Sequence, residues 1–256
     1  QRDPVTAGRD GELGARFAAA GHELALVGGP VRDALLRRPT KDIDLTTDAP
    51  PERTLEIIKG WADAYWTIGI EFGTVGLRKN GVEVEITTYR SESYDPKSRK
   101  PEVRYGTSLV EDLRRRDFAV NAMAARLPGH EFVDPFGGLT DLRDKVLRTP
   151  GRPEDSFADD PLRMLRAARF ASQLGFTVAP DVVRAMTDMA ARIAIVSAER
   201  IRAELSKLIC GEHPRRGLAL LVDTGLADHV LPELPKLRLE IDEHHRHKDV
   251  YEHSLI

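Results

Sequence analysis

Cysteine is almost missing from this chain: Cys210 is the one cysteine in 256 residues. No internal disulfide can form, so the fold must rest on its core rather than on cross-links. Cys210 falls in the apolar, helical stretch 205–210, where a small buried hydrophobe is the expected role rather than a nucleophile. No apolar run approaches the ~18 residues that a membrane-spanning helix needs. Residues 1–16 lack the apolar core of a signal peptide. Together with the scarcity of cysteine, this makes a reducing cytoplasm the expected compartment. An initiating Met is also lacking, so Gln1 is not expected to be the native start. Neither charge sign dominates, with 38 Lys+Arg against 41 Asp+Glu and a net charge of −3. Overall charge therefore does not announce a nucleic-acid partner, and binding a polyanion would require a local basic face. Arginines cluster at 114–116, at Arg163, Arg166 and Arg169, and at Arg215–Arg216. Helix faces paired with nearby acids are an equally good reading of any one cluster. Internal repeats and low-complexity tracts are absent.

The chain has the length for one large domain or two to three small ones, and 41% hydrophobic residues suffice for a proper core. Its first half alternates strand and helix signals. Leu24–Val27 reads as a buried strand ending at Gly28-Gly29, and Pro30 opens a helix through about Arg37. Further strands are expected at Ile43–Thr47, Thr74–Arg78 and Val82–Tyr89, the last two joined around Asn80-Gly81. Helices are expected over Pro51–Ala62 and Leu109–Ala125, then a strand at Glu131–Val133. Ser91–Thr107, polar and rich in Pro and charge, is expected to be a mobile loop. After Asp159 the pattern is helical: Pro161–Leu174, Pro180–Ala191, Ala198–Cys210 and Pro214–Thr224. The composition shifts near 145–158. The expected division is a head over 1–145, a helical neck over 146–212, and the start of a helical body over 213–256.

Asp42-Ile43-Asp44 is the main chemical feature. In a strand, residues two apart share a face and lie about 7 Å apart. Two carboxylates so placed can hold a hard cation such as Mg²⁺, which favours carboxylate oxygens together with substrate phosphates. Two such ions flanking a phosphate stabilise both the attacking and the leaving oxygen. On its own, Asp-x-Asp is most often a surface loop or a cap. Gly28-Gly29-Pro30-Val31-Arg32-Asp33, about 13 residues earlier, adds weight. Two glycines between a strand and a helix let backbone N–H groups approach a phosphate, and Arg32 can grip it with its planar fork. A tight turn carrying surface charges is the plainer alternative. On the Val82–Tyr89 strand, Glu83, Glu85 and Thr87 share one face. A third carboxylate there can complete metal coordination or accept a hydroxyl proton. For Glu83, the wet face of a strand is the preferred reading.

These residues and later ones resemble the class II tRNA nucleotidyltransferases, the family of CCA-adding enzymes and bacterial poly(A) polymerases within the polymerase-β-like superfamily. The shared order is Gly28-Gly29-x-x-Arg32-Asp33, Asp42-x-Asp44, Glu85-x-Thr87-Thr88-Tyr89-Arg90, and Arg115-Arg116-Asp117-Phe118-x-x-Asn121-Ala122-Met123-Ala124. It continues as Asp134-Pro135-x-Gly137-Gly138-x-x-Asp141-Leu142, Asp160-Pro161-Leu162-Arg163-x-x-Arg166, and Glu199-Arg200-Ile201-x-x-Glu204-Leu205, over about residues 22–230. Tyr89 stands where Phe is common, and Asp159-Asp160 where Glu-Asp is usual. The resemblance implies an α+β fold: a polymerase-β-like nucleotidyltransferase head with a mixed sheet, then an all-α neck and the start of a helical body. It implies Asp42 and Asp44 as ligands of two Mg²⁺, and Glu85 as the third carboxylate. Gly28, Gly29 and Arg32 would contact the triphosphate. Arg116, Asp117 and Asn121 fall in the segment that binds the nucleotide's sugar and phosphates. Asp160 and Arg163 would read the incoming base, with Arg166 on a phosphate. The 91–107 loop would help switch specificity from C to A.

The implied reaction is addition of CCA to tRNA 3′ ends from CTP and ATP, with release of pyrophosphate. Within the family, poly(A) polymerase and CC-adding enzymes are the alternatives. The stretch Ile68–Val75 looks more like the CCA-adding members, and the loop argues against CC addition alone. A catalytically silent RNA-binding module is the alternative from another class, although the carboxylate set is intact. His244, His245, His247, His253 and Asp249 look like the opening of an HD-type domain, whose complete site needs residues absent here. A metal site is one reading of that cluster, but a partial, exposed helix is the expected one, and the chain is expected to be a fragment or an incompletely ordered protein.

Overall fold

Four consecutive buried residues, Leu24–Val27, form strand β1. A strand buried on both faces must lie inside a sheet rather than at its edge. β1 does so, pairing antiparallel with β2 (Ile43–Thr47) on one side and with a later strand, described below, on the other. The computed structural model describes residues 4–39, 43–91, 104–106 and 108–237. Asp42, most of the 91–107 loop and the HD-like histidines therefore lie outside the described residues. The chain divides into two units, Gln1–Thr140 and Asp141–Ile256.

In the first unit, α1 (Pro4–Ala19) precedes β1, and α2 (Gly29–Leu35) follows it. After β2 come α3 (Pro51–Ile58), β3 (Ala64–Trp66), β4 (Thr74–Lys79) and β5 (Val82–Thr88). A two-residue ladder, β6 (Arg90–Ser91) with β7 (Arg104–Tyr105), joins the ends of the loop segment. Then come α4 (Leu109–Arg114), β8 (Ala124–Leu127), β9 (Glu131–Val133) and α5 (Gly138–Asp144). The seven-stranded sheet runs β3-β4-β5-β2-β1-β8-β9. It is mixed: β2 and β5 are parallel and every other neighbouring pair is antiparallel. Tyr89, fully buried, packs with Ala25, Val27, Leu109, Leu113, Ala122 and Ala124. Burial, reinforced by Glu23 beside its hydroxyl, pushes the Tyr89 pKa far above the ordinary phenol value.

Two expected helices are revised. The helix from Pro51 stops at Ile58, because Lys59 turns to an extended ψ of 129°, and strand β3 follows. The expected helix over 109–125 breaks into α4, a 3₁₀ turn at Ala119–Asn121, and strand β8. Phe118 is extended (φ −135°, ψ 152°), which ends any helical continuation. Alanine favours helix intrinsically, but β1 and β9 offer ladders on both sides of Ala124–Leu127, and the sheet wins. The Asp134–Gly138 segment is structural. The Asp134 carboxylate accepts from Gly138 N (2.7 Å) and Leu139 N (2.9 Å), capping α5. A Cβ on Gly138 would lie 2.2 Å from the Ala119 carbonyl oxygen, so only glycine fits.

The second unit is helical apart from one short parallel ladder, β10 (Val146–Leu147) with β11 (Thr177–Val178). Its helices are α6 (Pro153–Asp159), α7 (Leu162–Leu174), α8 (Pro180–Met189), α9 (Ala198–Ile209) and α10 (Pro214–Asp223). The short α11 (Ala227–Val230) and α12 (Glu233–Lys236) follow. α7 is the central helix and packs on both α9 and α10. Cys210, expected to be buried, is exposed. The buried stripe of α9 runs through Glu204 and Leu208, and Cys210 lies at the C-cap, two residues (about 200°) round the helix from Leu208. Among the described residues no helix is long and apolar enough to cross a membrane.

Candidate active site

β1 ends at Val27, and the chain then turns at Gly28 with φ 72° and ψ −138°, a combination that a side chain disfavours. The space is also taken. A Cβ on Gly28 would lie 2.9 Å from Arg116 Nη1 and 3.9 Å from Asp44 Oδ2. Gly28, Asp44 and Arg116, from three separate sequence motifs, thus meet at one point. Gly28→Ala is expected to lower the catalytic rate about tenfold or more through displacement of Arg116, since small misplacements of catalytic groups are costly. Steady-state kinetics on the full-length protein checks this, and a normal rate would show that the close approach is incidental.

Asp44 pairs in register with Glu85 across the parallel β2–β5 ladder. Side chains opposite each other on neighbouring strands share a face and start about 5 Å apart. Asp44 is half-buried and Glu85 exposed, so both are open to a ligand on that face. Further along the same face, Thr46 Oγ1 donates to the Thr87 carbonyl (3.0 Å), and the Thr74 and Thr87 hydroxyls bond to each other (3.0 Å). These hard oxygen donors on one sheet face suit a divalent cation of the Mg²⁺ type. Among the described residues no group of three or more His, Cys, Asp or Glu is placed to hold a metal ion. Asp42, the other member of the expected metal-binding pair, lies outside the described residues.

Arg32 is buried rather than a surface charge. Its Nε donates to Asp33 Oδ1 (2.8 Å) and its Nη1 to Asn121 Oδ1 (2.6 Å). The Asn121 amide in turn donates to Asp117 Oδ1 (2.9 Å), which also accepts from Phe118 N (2.8 Å). Arg32, Asn121 and Asp117 are all less than a tenth exposed, so each orients the next. Gly29 lies at the start of α2, where a Cβ would be 3.6 Å from Arg32 Nη2. One residue of this network was not singled out in the sequence. Asp112, buried on α4, lies 3.6 Å from Arg116 Nη2 and accepts from Arg90 N (3.2 Å). The i,i+4 spacing of Asp112 and Arg116 was the available signal. Arg116 Nε is buried with no hydrogen-bond acceptor among the described residues, as expected of a donor kept for a ligand.

In the second unit, Asp160 lies at the α6–α7 corner. It is the C-cap of α6, one residue before Pro161, the N-cap of α7; its Oδ1 accepts from Leu162 N (3.1 Å) and its Oδ2 from Arg200 Nη2 (2.8 Å). Arg163 Nη1 donates to Ser156 Oγ (2.9 Å) and to the Ser156 carbonyl (3.3 Å). Arg166 Nε meets Glu204 Oε1 at 3.4 Å. The arginine stripe on α7 is therefore partly neutralised from within, Arg166 and Arg169 both facing Glu204.

A mixed sheet with a Gly-Gly turn, an arginine at the start of the next helix and facing carboxylates on parallel strands defines a nucleotidyltransferase head of the polymerase-β-like class. Residues 24–148 match the family model of the poly A polymerase head domain, and residues 175–237 match that of the probable RNA and SrmB-binding site of polymerase A. The CCA-adding enzyme of Levilactobacillus brevis is 43% identical over 208 residues, covering 81% of this chain and 51% of the relative. The crystal structure of the Bacillus stearothermophilus CCA-adding enzyme in complex with CTP superposes with a TM-score of 0.78 at 37% identity, over 88% of this chain and 53% of that one. The Thermotoga maritima CCA-adding enzyme complexed with tRNA-CCA gives a TM-score of 0.76 at 28% identity, over 91% and 54%. The chain belongs to the family of class II tRNA nucleotidyltransferases and bacterial poly(A) polymerases. It spans about half the length of the curated relatives that it matches. Divalent-metal dependence is general to such nucleotidyltransferases.

Proposed function

We propose that the whole protein adds CCA to tRNA 3′ ends from CTP and ATP. The observation that carries this reading is the in-register pair Asp44–Glu85 beside Gly28 and Arg116. The RNA 3′-hydroxyl oxygen attacks the α-phosphorus of the nucleotide. A new oxygen–phosphorus bond forms, the bond from the α-phosphorus to the oxygen bridging to the β-phosphate breaks, and pyrophosphate leaves with that oxygen. Asp42 and Asp44 would hold two Mg²⁺, which when bound neutralise charge on the attacking and leaving oxygens. Glu85 would complete that coordination or accept the proton that the 3′-hydroxyl gives up. Arg32 and Arg116, with the backbone at Gly28 and Gly29, bind the polyphosphate. Asp117, fixed by Asn121, binds the sugar. Asp160 and Arg163 read the base, and Arg166 contacts a phosphate. The assignment of residues 1–145 as head, 146–212 as neck and 213–256 as the start of the body belongs to the same reading, as does a cytoplasmic location.

Poly(A) addition is the second reading, favoured by the match to the poly A polymerase head domain. The products separate the two. The full-length protein, given one tRNA lacking its CCA end, all four nucleotides and Mg²⁺, is expected to add C, C and A in order and then stop. Sequencing the product ends checks this. A long A tail on unrelated RNA would overturn it in favour of poly(A) addition, and a stop after two C residues would indicate the CC-adding alternative.

A further inference from the structure

One row of residues crosses the sheet on the face that carries the carboxylates. Trp66 on β3 pairs with Gly76 on β4, Gly76 with Glu85 on β5, and Glu85 with Asp44 on β2. Residues opposite one another share a face, so the Trp66 side chain stands on the same side of the sheet as both carboxylates. Gly76 leaves room for it. A Cβ on Gly76 would collide with Nε1, Cε2 and Cδ1 of the indole. The separations put that Cβ beneath the ring plane rather than beside its edge, so the ring lies flat across the middle strand. Gly76 is buried under it, and Trp66 itself is only half-buried. The indole therefore has one face on the backbone and the other turned outward, one strand or about 5 Å from Glu85.

A ring laid over a strand glycine restores packing that the glycine lacks. Its place in the row gives it a second use. Gly28 and Arg116, assigned above to the triphosphate, lie at the Asp44 end of the row. In-line displacement puts the attacking oxygen opposite the leaving one. With pyrophosphate leaving at the Asp44 end, the RNA 3′-hydroxyl enters from the Glu85 end. The base of that terminal nucleotide then comes over the strands beyond Glu85, where Trp66 lies. Arg78, exposed in the next row of the same face opposite Glu83, adds a cation for the RNA backbone. The subsite must also tolerate change, because each addition replaces the terminal base. Every base offers a π-face for stacking, whatever its hydrogen-bonding edge. A flat ring suits such a succession of ends, whereas a hydrogen-bonding side chain would favour one of them.

We infer that the outer face of Trp66 is the stacking platform for the 3′-terminal base of the RNA substrate. This rests on the active-site assignment proposed above. In the full-length enzyme, with a tRNA lacking its CCA end, Trp66→Ala is expected to raise KM for the tRNA about tenfold, the worth of one base stacked on an aromatic ring. KM for CTP stays unchanged. Trp66→Phe keeps a ring and restores most of the affinity. Trp66→Leu covers Gly76 without a π-face, so it restores the melting temperature but not the affinity. A tRNA whose terminal nucleotide is abasic supplies the complementary measurement: loss of the base costs the wild type about tenfold and costs Trp66→Ala nothing further. Recovery of the tRNA KM in Trp66→Leu, or an equal penalty for the abasic end in wild type and Trp66→Ala, would make the ring a cover for Gly76 alone and overturn the inference. The underlying reading fails separately. A wild type that transfers no nucleotide, or an Asp44→Ala variant that transfers normally, would remove the active-site assignment and the platform with it.

Discussion

Asp44→Ala is expected to lower kcat about a thousandfold in Mg²⁺ while leaving the fold intact. Stabilising charge at a reacting phosphate is worth several kcal/mol, and a thousandfold loss corresponds to about 4 kcal/mol of barrier. The side chain lies in register with Glu85 and beside Gly28 and Arg116, so its removal takes an oxygen donor from the centre of the site. The fold should tolerate the change. Asp44 is half-buried on a strand whose core contacts are made by Ile43, Leu45 and Thr47 on the opposite face. The melting temperature should fall by no more than about 4 °C, the equivalent of roughly 1 kcal/mol for a domain of this size. Single-turnover rates with CTP and a melting curve on the same preparation decide the matter. Near-normal turnover would discard the metal-binding role of the pair, and a collapse of the melting transition would make Asp44 structural instead.

Arg163→Ala is expected to change base choice by about ten- to a hundredfold. A site that leaves buried polar groups unpaired rejects the wrong ligand strongly, and one hydrogen bond to a charged group is worth about 1.5–3 kcal/mol. Arg163 is half-buried on the first turn of α7, with Nη1 anchored on Ser156. A guanidinium carries five donors in a rigid fork, so an anchor at one nitrogen sets the direction of the others. Discrimination against UTP and GTP should fall, and the rates with CTP and ATP should fall with it. A merely structural arginine predicts the opposite pattern: a small loss of stability and unchanged ratios. Comparison of kcat/KM for the four nucleotides in wild type and variant separates these outcomes.

The sequence by itself determined most of the local elements and the order of the motifs. Leu24–Val27 and Ile43–Thr47 are strands with the bounds their patterns predict, and Asn80-Gly81 joins two strands as expected. Alternation of period two and spacing of period 3.6 are properties of neighbouring residues, so they survive without knowledge of the fold. The order of motifs was legible for the same reason. Which element lies beside which was not. Asp44 stands opposite Glu85 because β5 inserts next to β2 in parallel after a hairpin has been laid outside it. Arg32 is buried with its Nη1 donating a hydrogen bond to Asn121, 89 positions away, and no local pattern records that bond. Ala124 and Ala125, read as the end of a helix over Leu109–Ala125, open a strand because two neighbours supply ladders. Cys210 read as buried from its apolar neighbours and is exposed because the packed stripe of α9 faces elsewhere. The contact of Arg200 with Asp160 depends on α9 packing along α7. In each case the deciding free energy comes from non-local burial and pairing, which exceeds the few tenths of a kcal/mol per residue by which local propensities differ.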